Sequence, residues 1–292
     1  MMNPPHYSEY FMKAISFLSA LVFSSITFAG DPSWSAPHEP FQITDHIYSV
    51  GTEGIGVYLI TTPEGHILID ASTQQGAKVV EANIKTLGFK LTDIKYLLEN
   101  HAHDDHVGGL AQLKKSTGAK LLASKADRYA LENGVHHGDN ENGPTKFPAV
   151  KVDKIIKDGE HIKLGGISLQ TVFTPGHTSG CTSWLTRDTS KGKDYSVFFL
   201  GSLSVAGNRL LNNKTDPQIV ADYRKSFART KAIQADILLI GHPPFIQFDE
   251  KYQALQNGNH DAFVDPQLLQ TFVARAETAF EEELKKQQVQ QK

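Results

Sequence analysis

The stretch "LLENHAHDDHVGGL" places three histidines and two aspartates in the six consecutive positions 101–106, directly after an apolar run. Written as His101-x-His103-x-Asp105-His106, the spacing can aim two imidazoles at one metal ion and the following carboxylate and imidazole at a second. A structural site is closed by four ligands, often cysteines. This set of nitrogen and oxygen donors is unfinished, and an unfinished shell suits catalysis because the open position holds water. Two more histidines stand in matching places, His177 in "FTPGHTSG" and His242 in "ILLIGHPP", each after an apolar run. The six then divide into two zinc sites, His101, His103 and His177 on one ion and Asp105, His106 and His242 on the other. Zinc lowers the pKa of bound water to about 7, so a hydroxide between the ions would be a nucleophile for a carbonyl, oriented by Asp105.

Of the thirteen histidines, His38, His46, His66, His161 and His260 are isolated and read as surface or satisfied core groups. His136 and His137 lie in a polar loop and could line the mouth of a site. Asp104 falls on a variable position of the motif and reads as an outward or solvated carboxylate. Its charge would strengthen metal retention or repel an anionic substrate.

The elements that must position these groups show in the hydrophobic pattern. Strand-like runs appear at "HIYSVG", "IGVYLITT" and "HILIDAS", and residues 75–87 carry helical spacing with Gly88 as a stop. "IKYLLEN" reads as a buried strand that delivers the histidine cluster at its C-terminal end. A short helix at "LAQLKKSTG", a strand at "AKLLAS" and a helix over residues 125–133 follow. Residues 134–149, polar and rich in Gly and Pro, read as a long surface loop, of a length that is often functional. The second half offers "HIKLGGISLQTVFTPGH", "CTSWLTR", "YSVFFLGS" and "ADILLIGH" as strands, with helices over 217–232 and 266–286. Strands followed by helices in both halves predict two sheets packed face to face with helices outside.

The 292 residues carry a formal charge of −3 and no dense Lys/Arg run, which argues against nucleic acid as a partner. Near the start, Lys13 precedes "AISFLSALVFSSITFA", an apolar stretch too short to span a membrane that ends in small residues at Thr27 and Ala29. It reads as a cleaved secretory signal over 1–29, with Met12 as an alternative start, and predicts a periplasmic protein without stable membrane insertion. Cys181 is the sole cysteine, so no intramolecular disulfide can form.

HxHxDH, then "TPGHTSGCTSW", then "GH" after a late strand resemble the metallo-β-lactamase superfamily over residues 41–286. The resemblance implies a single α/β domain over 30–292, an αββα sandwich with a dinuclear zinc site in a groove at one edge. HxHxDH is shared by lactamases, thioesterases, lactonases and metal-dependent nucleases. In "VFFLGSLSVAG", Ser202 stands where many thioesterases and lactonases have a metal-bridging aspartate. Histidine at 106 with serine at 202 resembles the third subclass of class B β-lactamases. By that resemblance Ser202 would hydrogen-bond metal-bound water and Ser204 the substrate carboxylate. Asn208, where many members carry tyrosine, would donate to the carbonyl oxygen from a shorter arm, and Asp105, Ser202 and Asn208 form the catalytic set. Two prolines after His242 depart from the usual family pattern. The expectation is a monomeric zinc β-lactamase that accepts β-lactam antibiotics, carbapenems included, and confers resistance. The rivals are a zinc lactonase or thioesterase of the same superfamily and a non-catalytic periplasmic zinc-binding protein.

Overall fold

The computed structural model describes residues 30–290; the expected signal over 1–29 lies outside the described residues. The first half builds strands β1 (Phe41–Gln42), β2 (Ile47–Ser49), β3 (Tyr58–Thr62) and β4 (Gly65–Ile69), then helix α1 (Ala77–Thr86) and strand β5 (Ile94–Leu98). Helices α2 (Asp104–Val107) and α3 (Leu110–Thr117), strand β6 (Lys120–Ser124), helix α4 (Arg128–Asn133) and strand β7 (Lys154–Ile156) complete it. The second half runs β8 (His161–Leu164), β9 (Ile167–Phe173), β10 (Thr182–Ser190), β11 (Lys193–Leu200), α5 (Ile219–Lys231), β12 (Ile237–Ile240), α6 (Phe248–Gln256) and α7 (Leu268–Gln290). Strands β1 to β7 form one sheet in sequence order, and the other has the order β12-β11-β10-β9-β8.

Alternation along the strands explains the layers, because successive side chains of a strand point to opposite faces. In β3, Tyr58 and Ile60 enter the core shared with the second sheet, where the Tyr58 and Phe199 rings lie 5.4 Å apart. Their neighbours Val57 and Leu59 pack instead with Val80 and Ile84 of α1 and Leu110 and Leu113 of α3. The same split separates Ile67 and Ile69 from Leu68, Leu98 from Leu97 and Leu122 from Leu121. On the far side, Tyr223 and Phe227 of α5 meet Phe280 of α7 at 4.9 and 5.4 Å between ring centroids. Two sheets with helices on both outer faces make the expected αββα sandwich.

Three local expectations need correction. "HIKLGGISLQTVF" is a hairpin, because Gly165 and Gly166 adopt positive φ (50° and 92°) and turn the chain between β8 and β9. Helix α4 starts at Arg128 rather than at 125, and α6 arises in a segment that had no expected element. Among the described residues no helix is long and apolar enough to cross a membrane. Cys181 is a buried free thiol, pushed up to about 12 by burial.

Candidate metal centre

The cluster is assembled at strand ends. β5 ends at Leu98, and the amide of Asn100 then donates to Asp70 Oδ1 at 2.7 Å while its side chain donates to Oδ2 at 2.9 Å. Ala71 N donates to His106 O at 2.8 Å and Gly109 N to Ser72 O at 3.1 Å, so the turn after β4 grips the C-terminal end of α2 and the start of α3. Gly109 is required there: a Cβ would sit 2.3 Å from Ala71 O. His177 follows β9 through Gly176 (φ 138°), and His242 follows β12 through Gly241, where a Cβ would meet the His106 ring at 2.5 Å.

His101, His103 and His177 bring one ligand atom each within 4.8 Å of the others. The Nδ1 of His177 donates to Ser204 O at 2.8 Å, which turns Nε2 toward His103 Nδ1, 3.0 Å away. His101 Nδ1 is buried without a hydrogen-bond partner among the described residues. Burial, reinforced by the neighbouring histidines, holds His101 and His103 well below the ordinary histidine range; burial brings His177 down to about 4. All three are neutral at pH 7, as ligands must be.

Asp105, His106 and His242 form a second group. Asp105 Oδ2 lies 3.2 Å from His106 Nε2 and 3.3 Å from His242 Nε2, and the two nitrogens are 3.3 Å apart. The other nitrogen of His106 faces Asp70 Oδ2 at 3.0 Å. Burial alone would raise Asp105 and lower His106. The attraction between them and the hydrogen bonds from His106 and His242 hold Asp105 well below the carboxylate range, and Asp105 and Asp70 lift His106 to about 10.

These donors fit a divalent ion such as zinc: six nitrogen and oxygen donors stand in two crowded groups, with His101, Asp105, His106 and His177 buried, and a cation in each group would relieve the crowding. His242 packs against Trp34 and Phe245, ring centroids 6.0 Å away in each case. Ser202 Oγ lies 3.1 Å from Ser204 Oγ, and Ser204 Oγ lies 3.3 Å from His177 Nδ1. Asn208 is brought to the site facing inward: it is 3% exposed, and its Nδ2 donates to His177 O at 2.9 Å.

Asp104 opens α2 and hydrogen-bonds Thr145 of the loop 134–149; burial and Asp105 raise its pKa. His136 is buried against the His103 ring at 4.4 Å, whereas His137 lies against Tyr129. The isolated histidines stand apart. His46 pairs with Asp188 at 2.6 Å, His66 packs on Phe89, His161 meets Ser168 and His38 sits among Phe41, Phe248 and Tyr252. Sequence reasoning missed Asp70. Its signal was available, since "HILID" ends an apolar strand on a carboxylate just as other strands end on histidines. Asp70 also holds φ 64°, a backbone cost of order 1 kcal/mol that its three accepted hydrogen bonds offset.

The sequence profile of the metallo-beta-lactamase superfamily matches residues 50–242. BJP-1, a subclass B3 metallo-β-lactamase of Bradyrhizobium japonicum, superposes with a TM-score of 0.85 at 42% identity, covering 89% of this chain and 99% of that one. FEZ-1, a metallo-β-lactamase from Legionella gormanii, gives 0.83 at 37% identity, covering 87% and 98%. A hydroxyacylglutathione hydrolase of Methylococcus capsulatus is 29% identical over 146 residues, 50% of this chain and 48% of that protein. The chain thus spans about half the length of the first curated relatives it matches.

Proposed function

The chain belongs to the metallo-β-lactamase superfamily, and from that premise we propose that this hydrolase opens the amide of β-lactam antibiotics, carbapenems included, using two zinc ions. One observation carries the choice within the superfamily. At the end of β11, beside the three-histidine group, stands Ser202, with its hydroxyl paired to Ser204 and no carboxylate in its place. The near-complete coverage of subclass B3 structures supports the same reading.

His101, His103 and His177 would hold one ion and Asp105, His106 and His242 the other. Bound zinc supplies an acidified water and a Lewis acid for the carbonyl and the departing ring nitrogen. The chain's own groups do the rest. Asp105 stays ionised at neutral pH and can accept a proton at Oδ2 or orient a nucleophile there. The exposed hydroxyl of Ser204 is placed to donate to a substrate carboxylate, and Ser202 Oγ steadies it at 3.1 Å. Asn208 shapes the pocket wall through His177, since its amide is already engaged with the backbone. Export to the periplasm, where such antibiotics act, agrees with the stretch from Lys13 to Ala29, and a monomeric enzyme there would provide resistance.

The test is turnover of a penicillin, a chromogenic cephalosporin and a carbapenem by zinc-loaded protein, beside lactone and glutathione-thioester substrates. The expected result is β-lactam hydrolysis abolished by dipicolinate, with His177→Ala lowering it on the order of 10²–10³-fold while far-UV CD is retained. Thioester or lactone turnover without β-lactam turnover would assign the chain to the hydroxyacylglutathione hydrolase or lactonase type. Tight zinc binding with no turnover of any substrate would make it a binding protein.

A further inference from the structure

The loop 134–149 touches the three-histidine group along two separate routes. Its base is closed by His136 N to Thr145 O at 2.9 Å and Phe147 N to Gly134 O at 3.0 Å. There the His136 ring stacks edge-on against His103, with centroids 4.4 Å apart. His136 is 7% exposed, and neither ring nitrogen has a hydrogen-bond partner among the described residues. Leaving such a group unmet costs about 1–3 kcal/mol, so the surrounding contacts must force the ring into this place. Thr145 adds a hydrogen bond to Asp104, next to His103 in the chain.

The tip of the loop is zipped to the segment after β11. Arg209 N donates to Asp139 O at 3.0 Å and Glu141 N to Gly207 O at 2.9 Å. Between them, Asn140 Nδ2 donates to Ala206 O at 2.7 Å and to Asn208 Oδ1 at 3.1 Å. Asn208 Nδ2 in turn donates to His177 O at 2.9 Å. Two side-chain amides in series therefore join the loop to a member of the cluster. The link matters at this point because His177 follows Gly176, whose φ of 138° is open only to glycine. Backbone freedom beside a ligand must be removed by contacts, and Asn208 removes it.

We propose that residues 134–149 act as a clasp that positions His103 and His177 for metal binding, with Asn140 and Asn208 as positioning residues. The proposal rests on the reading of His101, His103 and His177 as one metal site. Removing the Asn140 donor leaves Asn208 Oδ1 and Ala206 O unmet and lets the Asn208 amide rotate away from His177. Groups that orient metal ligands typically contribute about 10–100-fold in metal affinity.

Cobalt binding to the full chain separates the possibilities, read by visible absorption and by competition with a chromophoric chelator. A His242→Ala background isolates the three-histidine site, and a His177→Ala background isolates the other. Asn140→Ala and the near-isosteric Asn140→Asp should each weaken the three-histidine site by about 10-fold or more and alter its cobalt spectrum, leaving the other site within about 2-fold. Glu141→Ala, which keeps its backbone contact to Gly207, should change neither. Equal affinity and an unchanged spectrum in both Asn140 variants, or an equal loss at both sites, would overturn the clasp. Absence of cobalt uptake by the unmutated chain would instead bring down the metal-centre reading itself.

Discussion

The two halves of the metal cluster are built from nearly the same residue types and are held by opposite means. His106, and through it Asp105, is anchored from below, in the core, by the buried carboxylate of Asp70, which orients the His106 ring and supplies charge. His103 and His177 are anchored from above and from the side, by neutral contacts: a loop imidazole on the His103 ring, the Ser204 carbonyl on the His177 ring and the Asn208 amide on the His177 carbonyl. The first arrangement stores a proton, and the second excludes one. Burial lowers the pKa of an imidazole unless a carboxylate lies close enough to reverse the effect, and only one half has that carboxylate.

The contrast can be broken most sharply at Asp70. Asp70→Asn keeps shape and tolerates the positive φ, but removes the charge and one acceptor. We expect cobalt affinity at the Asp105/His106/His242 site to fall about 10–100-fold with the three-histidine site unmoved. Equal loss at both sites, in single-site backgrounds, would erase the distinction between core-held and loop-held halves.

Proton competition sharpens it further. His106 is lifted to about 10, so across neutral pH a cation must displace its proton, and affinity at that site should fall about tenfold for each pH unit lost between 8 and 6. The site containing His177, which sits at about 4, should stay nearly flat over the same range. The sign also sets metal-free stability. A histidine raised in the folded state contributes stability that is fully present below about 6.5 and lost as pH climbs toward 10. Thermal melts of chelator-treated protein should show that loss, and zinc should remove it.

The smallest effect concerns Glu99, beneath the cluster and fully buried, with no side-chain hydrogen-bond partner among the described residues. Burial, followed by Asp127 and Asp70, raises it well above the ordinary range, so it is folded as the neutral acid. The unfolded chain loses that proton above about 4.5, and stability therefore falls as pH rises past this point. Glu99→Gln should lift the melting temperature at pH 8 by ~2–4 °C, about 1 kcal/mol, and leave it nearly unchanged at pH 5. A variant melting that tracks the unmutated chain at both pH values would show that Glu99 does not carry this slope.

Much of the site was legible because its signal is local. Four of the six candidate ligands lie within six residues, and His177 and His242 each end an apolar strand. The orientation of Asn208 was not legible. Whether that amide faces substrate or the His177 carbonyl depends on Asn140, 68 positions away, and on the depth of the pocket that receives it. Asp104, obscure in the motif, finds its partner in Thr145, and His136 proves to be packed on His103 rather than lining an open mouth. Missed elements have a similar cause: a Gly-Gly turn inside one apolar run hid the β8/β9 hairpin.

By itself, the sequence determined the donor chemistry and the sandwich, since ligand spacing and strand alternation are short-range properties of the chain. Tertiary structure alone decided which carboxylate steers His106, which loop holds His103 and His177, and therefore which half of the cluster carries a proton. Those outcomes depend on burial and on distances between segments far apart in sequence, and no local pattern encodes either.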